Sequence, residues 1–203
     1  DLHLLAPQEG TTRAECAAIL QRFLTQYEDP AAEVKKAKSG QIVYYGVYEQ
    51  DNDLTNGPEP IAWIVLYKNQ MEMLLVSRDI LDCKCWNDTT PSTRWEDSSL
   101  RAWLDTEFYD TAFDEKTKAS ILECGNPYSP DGTSNVVILS ATEVDYYWSY
   151  EPARRAAVTP YAQARGVSAD SSYLTADGQP SGWWWLQTAY MRDCAACVAP
   201  AGI

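Results

Sequence analysis

The stretch Gly182-Trp183-Trp184-Trp185-Leu186-Gln187-Thr188 places three tryptophans in succession near the end of the chain. Successive side chains of an extended strand point to opposite faces, so Trp183 and Trp185 are expected on one face and Trp184 on the other. One face can then close a core, while the other leaves a large indole near the surface. A buried central strand with no ligand is the alternative interpretation.

The residues around and after the tryptophans are typical of recognition surfaces. Aromatic side chains, methionine and arginine are enriched at the centres of interfaces. We therefore predict a ligand-binding face near the C-terminal end, made of Trp183, Trp184, Trp185, Gln187, Tyr190, Met191 and Arg192. Four other aromatic residues are predicted to form the core, namely Trp63, Trp95, Trp103 and Phe113.

Composition narrows the class of protein. A chain of 203 residues fits one domain with a small appendage. Its 45% hydrophobic content, with 8 Trp and 13 Tyr, is ample for a packed core. The formal charge of −13 argues against nucleic acid or an anionic membrane as the partner, because both need clustered Lys and Arg. No apolar run approaches the ~20 residues of a membrane span, so none is predicted.

Histidine and cysteine usage bears on catalysis and metals. His3 is the one histidine, so a histidine relay or a His-ligated metal would have to form without any histidine in the main body. The six cysteines include Cys83-Lys84-Cys85 and Cys194-Ala195-Ala196-Cys197, and the first pair lacks the spacing that tetrahedral zinc favours. We predict partly buried free thiols, no catalytic residues and no metal ligands.

The order of patterns predicts an α+β fold. Residues 1–27 are predicted to be an amphipathic helix with its lead-in, opened by the capping box Thr12-x-x-Glu15, and residues 28–40 a linker. Residues 41–203 form the main domain, with strands first, helices in the middle and a strand at the end. Its predicted elements are a strand at 42–48, a hairpin of 61–67 and 71–76, helices opened by Ser98 and Ser140, a strand at 135–139 and a loop at 166–181.

The N-terminal segment resembles the closing half of an S-layer homology repeat. The run Thr12-Arg13-Ala14-Glu15 and the following helix Ala17-Ala18-Ile19-Leu20-Gln21-Arg22-Phe23 carry the resemblance. It implies an extracellular address on a Gram-positive bacterium, at the cell surface or cell wall. It also implies attachment to a cell-wall polymer through further repeats upstream.

Four separated motifs of the main domain resemble a family of bacterial extracellular domains related to C-type lectins and to the formylglycine-generating enzyme. They lie in the segments Tyr48–Leu66, Leu74–Lys84, Trp95–Phe113 and Gly182–Leu186. The resemblance implies a C-type-lectin-like domain with small antiparallel sheets and two or more flanking helices, preceded by the N-terminal helix. It further implies that the first and last strands meet in one sheet, with a ligand face built from later loops.

Two departures from that family affect the C-terminal region. The segment Leu186-Gln187-Thr188-Ala189-Tyr190 stands where the family tends to have Leu-Arg-Ser-Pro-Gly, and the chain stops at Ile203, before the family's closing strands. We therefore expect a C-terminally truncated domain. Changed residues at this place resemble the variable proteins of diversity-generating retroelements, which hold hypervariable residues on a C-type-lectin-like scaffold.

Two other chemistries are weighed from the residues. Trp86-Asn87-Asp88 and the pair Glu59-Pro60 copy parts of the calcium site of C-type lectins, but the rest of the six to eight oxygen ligands is not evident. The loop Asp51-Asn52-Asp53 is a candidate for a structural calcium, and a solvated turn is its alternative. An oxidoreductase like the formylglycine-generating enzyme would need reactive cysteines, and the alanines around Cys194 and Cys197 do not lower a thiol pKa.

These observations favour a binding protein over an enzyme. We expect a recognition module displayed at the cell surface, similar to an adhesin or receptor, that binds a protein or glycan through its C-terminal aromatic region without a cofactor. The alternatives are the formylglycine-generating-enzyme-like oxidoreductase and a calcium-dependent lectin.

Overall fold

Short helices and small sheets make up an α+β fold, as predicted, although short strands also lie between the helices in the middle of the chain. A computed structural model describes residues 30–88, 94–125, 133–191 and 194–203. Its strands β1 to β11 are Ile42–Tyr48, Glu59–Lys68, Met73–Ser77, Asp79–Ile80, Cys124–Gly125, Thr133–Ser134, Ala157–Val158, Ala169–Leu174, Pro180–Gly182, Trp184–Met191 and Cys194–Val198. Its α-helices α1 to α6 are Pro30–Lys36, Ser99–Trp103, Tyr109–Ala112, Glu115–Lys118, Ala141–Tyr147 and Pro160–Ala164. A π-helical turn, Leu104–Phe108, joins α2 to α3.

The antiparallel meander β1-β2-β3 lies at the centre of the packing. Its register pairs Val43 with Trp63 and Val65 with Leu75. In β1 the side chains of Val43, Tyr45 and Tyr48 are buried while their neighbours Ile42, Tyr44 and Val47 are exposed. Val43 and Tyr45 keep the period of two expected of a strand with one buried face, and the irregularity between Tyr44 and Val47 moves the next buried side chain to Tyr48. The predicted strand at 42–48 and the predicted hairpin are confirmed.

One face of the meander packs on an aromatic core. The rings of Tyr48 and Phe108 lie 5.0 Å apart, and those of Phe108 and Phe113 lie 6.2 Å apart in an edge-to-face arrangement. Such offset contacts add to the gain from burying the rings. Among the predicted core residues, Trp95 and Phe113 are buried, and Trp63 and Trp103 are partly buried against the same cluster. The core prediction is confirmed.

The other face of the meander packs on a smaller cluster. Leu66, Leu74 and Val76 contact the buried residues Leu139, Val144, Leu186 and Val198. The antiparallel hairpin of β10 and β11 supplies the last two. Strands β2 and β3 are therefore covered on both faces, whereas β1 leaves the face of Ile42 and Tyr44 exposed. Strand β3 forms one of the two edges of the meander.

Local signals in the sequence set several helix starts. The Ser140 hydroxyl accepts from the Glu143 amide at 3.2 Å, and the Glu143 carboxylate accepts from the Ser140 amide at 2.7 Å, which completes the predicted capping box of α5. The Ser98 hydroxyl caps α2 by accepting from the Arg101 amide. Both predicted helix starts are confirmed.

Three predictions about local structure are wrong. Residues 30–36 of the predicted linker form α1, because Ala31 and Val34 bury their side chains in the aromatic core. The predicted strand at 135–139 does not form, since the carbonyl groups of Ile138 and Leu139 accept from Gln187 and not from a ladder partner. The predicted loop at 166–181 contains strand β8 and the start of β9.

The sheets also differ from what the family resemblance implied. Strands β10 and β11 pair with each other, whereas β1 pairs with β2, so the first and last strands do not meet in one sheet of the described chain. A third sheet has the order β4-β7-β9-β8 and includes one parallel pair, β4 with β7. The predicted N-terminal helix at 1–27 lies outside the described residues.

The described helices are all short. None of them is long and apolar enough to cross a membrane.

Gly46 meets two requirements that only glycine satisfies. It lies at the irregularity in the β1-β2 register with φ of +71°. A Cβ there would lie 2.5 Å from Cε1 of Phe113 and 2.7 Å from the Ala112 carbonyl oxygen. Both the left-handed backbone and the aromatic core therefore exclude a side chain at this position.

We predict that Gly46→Ala lowers the free energy of unfolding by about 3 kcal/mol, the combined cost of overpacking and of a left-handed alanine. Gly57→Ala is the matched control, because Gly57 has φ of +87° but no atom within 4 Å of its Cβ position. The control is expected to lose only about 1 kcal/mol. Urea denaturation measures both, and equal losses would contradict the contact with Phe113.

Candidate functional site

The tryptophan strand alternates as predicted. Trp183 and Trp185 are 54% and 36% exposed. Trp184 points the other way, where it packs against the smaller cluster and meets the ring of Trp148 edge-on at 6.4 Å. The residue before the tryptophans, Gly182, has to be a glycine, because a Cβ at that position would lie 2.5 Å from Cγ2 of Val158. The strand can therefore approach β7 closely just before the tryptophans.

Two of the three indoles fix the strand in place. Trp184 donates its Nε1–H to the carbonyl oxygen of Arg154 at 3.2 Å, and Trp185 donates to that of Lys84 at 3.0 Å. The indole N–H of Trp183 has no acceptor among the described residues. Trp184 and Trp185 thus hold neighbouring segments together, and Trp183 is the indole that is free to meet a ligand.

All three tryptophans line one cavity of about 820 Å³. This volume lies within the ~300–1,000 Å³ of small-ligand sites. The walls are mostly apolar and come from segments far apart in sequence: Trp63–Ile64, Leu74–Cys85, Leu100, Trp103, Leu104, Phe108, Val136–Leu139, Trp148, Ala153–Ala156, Arg165–Ser168, Trp183–Trp185 and Cys197. The cavity thus runs beside the edge strand β3 and is lined by successive residues of that strand, Leu74 to Ser77.

A buried carboxylate organises one wall of the cavity. The Asp82 side chain, 5% exposed, lies 2.5 Å from Nε of Arg165 and accepts hydrogen bonds from the Tyr48 hydroxyl and the Cys83 amide, each at 2.6 Å. The charge of Asp82 raises the pKa of Arg165, while burial and the same carboxylate raise the pKa of Tyr48. Asp82 is therefore fully paired, and its role is to hold the segment that ends at Cys85.

Three free thiols also line the cavity. Cys83 and Cys197 are partly buried, as predicted, whereas Cys85 is exposed. Burial raises the pKa of both Cys83 and Cys197, which favours the neutral thiol over the reactive thiolate. Within the described ranges the three sulfurs do not come close enough together to form a metal-binding group.

The remaining predicted site residues have different placements. Gln187 does not line the cavity, because its side-chain amide donates to the Ile138 carbonyl and its backbone amide to that of Leu139. Tyr190 and Met191 belong to the backbone of β10, and their side chains lie outside what is described. Arg192 also lies outside the described residues.

The Trp86-Asn87-Asp88 motif serves the packing of a helix. Trp86 is buried between Trp95 and Trp185, with ring centroids 5.8 Å from each. The Asn87 side chain accepts from the Ser99 amide at 3.1 Å, at the start of α2. This geometry is that of a turn with a packed tryptophan.

Several residues of this site could not be read from local motifs. Lys84, Arg155 and Arg165 line the cavity, yet no pattern in the sequence connects them. The one local signal is Asp82-Cys83-Lys84, which ends the second segment of the family resemblance.

An acidic group lies away from the cavity, where β1 ends and β2 begins. Carboxylate oxygens of Glu49, Asp51 and Glu59 lie within 4.8 Å of one another. Loss of hydration raises the pKa of Glu49, and the charges of Glu59 and Asp51 raise it further. Asp53 instead accepts hydrogen bonds from Thr55. A structural calcium stays a prediction, and its expected ligands shift from Asp53 to Glu49 and Glu59.

We predict that Glu49→Gln raises the melting temperature at pH 7 when no divalent cation is present. A raised pKa means that the folded state disfavours the ionised carboxylate, so wild-type stability falls as pH rises above 4.5, the ordinary pKa of this group. The gain should shrink at pH 4. Thermal unfolding at both pH values tests this, with the exposed Glu107→Gln as control. A gain that is the same at both pH values would contradict the pKa assignment.

Comparisons with known proteins identify the domain at the level of family. No curated protein and no solved structure matches the chain. Residues 70–203 match the family described as "Domain of unknown function (DUF6273)". The matched range contains β3, the Asp82 segment and the tryptophan strand. Because the match covers more than half of the 203 residues, the chain belongs to the DUF6273 family.

Proposed function

We propose that this domain is a non-catalytic recognition module that takes an apolar group of its ligand into the cavity beside the tryptophan strand. The observation that carries the proposal is the cavity of about 820 Å³ with Trp183, 54% exposed, on its wall. A large apolar cavity beside an exposed indole is costly to leave in contact with water, and a ligand that fills it removes that cost.

The three tryptophans differ in their hydrogen bonding, and this difference supports the proposal. Trp184 and Trp185 are held by hydrogen bonds to backbone carbonyl groups. Trp183 therefore directly precedes a strand that is held at its first two positions, and its backbone loses little conformational freedom when a ligand covers the ring. An aromatic ring presented in this way suits either an apolar side chain of a protein or the face of a sugar ring.

The sequence resemblances support a location for this module. We place it outside a Gram-positive cell, attached to the cell-wall polymer through S-layer homology repeats, with a C-type-lectin-like fold as the finer description of the α+β domain. In this setting it acts as an adhesin or receptor. Diversification by a retroelement is a proposal that rests on the departure from the family pattern after Leu186.

We predict that an uncharged solvatochromic dye, 6-propionyl-2-(dimethylamino)naphthalene, binds the domain saturably and is displaced when the cavity is filled. Trp183→Ala should weaken its binding by about tenfold, since stacking on an indole accounts for roughly that factor. Fluorescence titration measures the dissociation constant.

Tyr146→Ala is the matched control for this titration, because Tyr146 is an aromatic residue that is 79% exposed and does not line the cavity. The affinity of the Tyr146→Ala variant for the dye should equal that of the wild type. Failure of the wild type to bind the dye, or equal affinity in Trp183→Ala, would overturn the proposed site.

A further inference from the structure

The net charge of the residues around the cavity is opposite in sign to the net charge of the whole chain. The chain has 16 basic and 29 acidic residues. Five basic residues, Arg78, Lys84, Arg154, Arg155 and Arg165, line the cavity, against two acidic residues, Asp79 and Asp82. An acidic protein therefore surrounds this apolar space with an excess of positive charge, which favours an anion inside it.

Most of these basic groups already have acidic partners. Arg78 pairs with Asp79 at 2.6 Å, Arg165 with Asp82 at 2.5 Å, and Arg154 with Asp145 at 2.9 Å. In the part of the chain that the structure describes, no carboxylate pairs with Lys84 or Arg155. The guanidinium of Arg155 is held by the carbonyl groups of Ala201 and Leu174. Lys84 is thus the basic group most available to a ligand.

Lys84 also has the surroundings that an amphipathic anion requires. Its half-buried side chain places Nζ 4.9 Å from the centroid of the Trp103 ring. The indole N–H of Trp103 is itself buried without an acceptor among the described residues. The Lys84 carbonyl accepts from Trp185, which fixes the backbone from which the ammonium extends. A positive charge on a fixed backbone therefore borders aromatic and aliphatic walls.

We infer that the cavity takes a small amphipathic anion, an apolar chain or ring system that carries one carboxylate paired with Lys84. This inference rests on the proposed function, because it names the ligand class of the same site. The apolar body gains affinity from burial, roughly fourfold for each methylene removed from water. The carboxylate gains more from a half-buried ammonium than from an exposed one, because less water screens the pair.

A matched series of ten-carbon ligands tests the inference. Decanoate, 1-decanol and decyltrimethylammonium share one chain and differ in the charge of the head group. Each is titrated below its aggregation threshold against the protein loaded with the uncharged dye, and displacement gives the dissociation constant. Decanoate should bind about tenfold more tightly than 1-decanol, the factor expected of one charge-assisted hydrogen bond, and decyltrimethylammonium most weakly.

Variants of Lys84 test whether the preference for decanoate over 1-decanol depends on the Lys84 ammonium group. Lys84→Gln should bind decanoate about tenfold more weakly and 1-decanol as the wild type does, while Lys84→Arg retains the preference for decanoate. Lys38→Gln removes an exposed lysine outside the cavity and should change neither affinity. Unchanged binding of the uncharged dye and of 1-decanol in Lys84→Gln shows that the variant is folded.

The outcomes separate this inference from the function on which it rests. Tight binding of 1-decanol with no preference for decanoate would overturn the anionic ligand and keep the apolar cavity as a binding site. Stronger binding of decyltrimethylammonium would do the same. A preference for decanoate that survives in Lys84→Gln would overturn the role of Lys84. No binding by any member, together with no dye binding, would overturn both proposals.

Discussion

Burial of both faces of strands β2 and β3 in the central meander is the constraint on which the rest of the domain depends. Strand β2 must present apolar side chains alternately to two different clusters, with Ile61 and Val65 toward the aromatic core and Leu66 toward the smaller one. A sheet covered on both faces needs two separate sets of covering elements. Helices α1 to α3 and their joining turn supply residues to the first cluster, and the β10-β11 hairpin supplies residues to the second. The space beside the edge of β3, where the two coverings meet, is the cavity.

Hydrophobic periodicity and helix-capping residues correctly predict the parts of the fold that depend on residues close together in sequence. The alternating directions of Trp183, Trp184 and Trp185 follow from the period of an extended chain alone, and the start of α5 follows from Ser140 and Glu143. Propensity failed where a distant contact decided the outcome. Val136 to Leu139 has the composition of a strand, but the carbonyl groups of Ile138 and Leu139 accept from Gln187, which is 49 residues away from Ile138 in the chain. The polar segment before β1 contains Ala31 and Val34. Helix α1 forms there because these two side chains pack in the aromatic core, which the local sequence does not show.

The candidate site divides in the same way. The sequence singled out Trp183 to Trp185, because three consecutive indoles are unusual in any chain. It did not single out Lys84 or Arg155, because each is an ordinary basic residue until the fold places it on the wall of an apolar cavity. The net charge of −13 is a property of the whole surface and gave no sign of a locally positive lining. Local charge within a concave site has to be read from the arrangement of side chains, since it can be opposite in sign to the total.

The hydrogen bonds of Trp184 and Trp185 also divide the C-terminal strand into positions that differ in mutational freedom. Replacement at either of these two would leave a backbone carbonyl group without its donor, on opposite sides of the strand. Trp183 makes no such bond to the described residues, and more than half of its surface is already in water. A substitution at Trp183 would therefore alter an exposed surface without removing a hydrogen bond of the described scaffold, whereas one at Trp184 or Trp185 would remove such a bond.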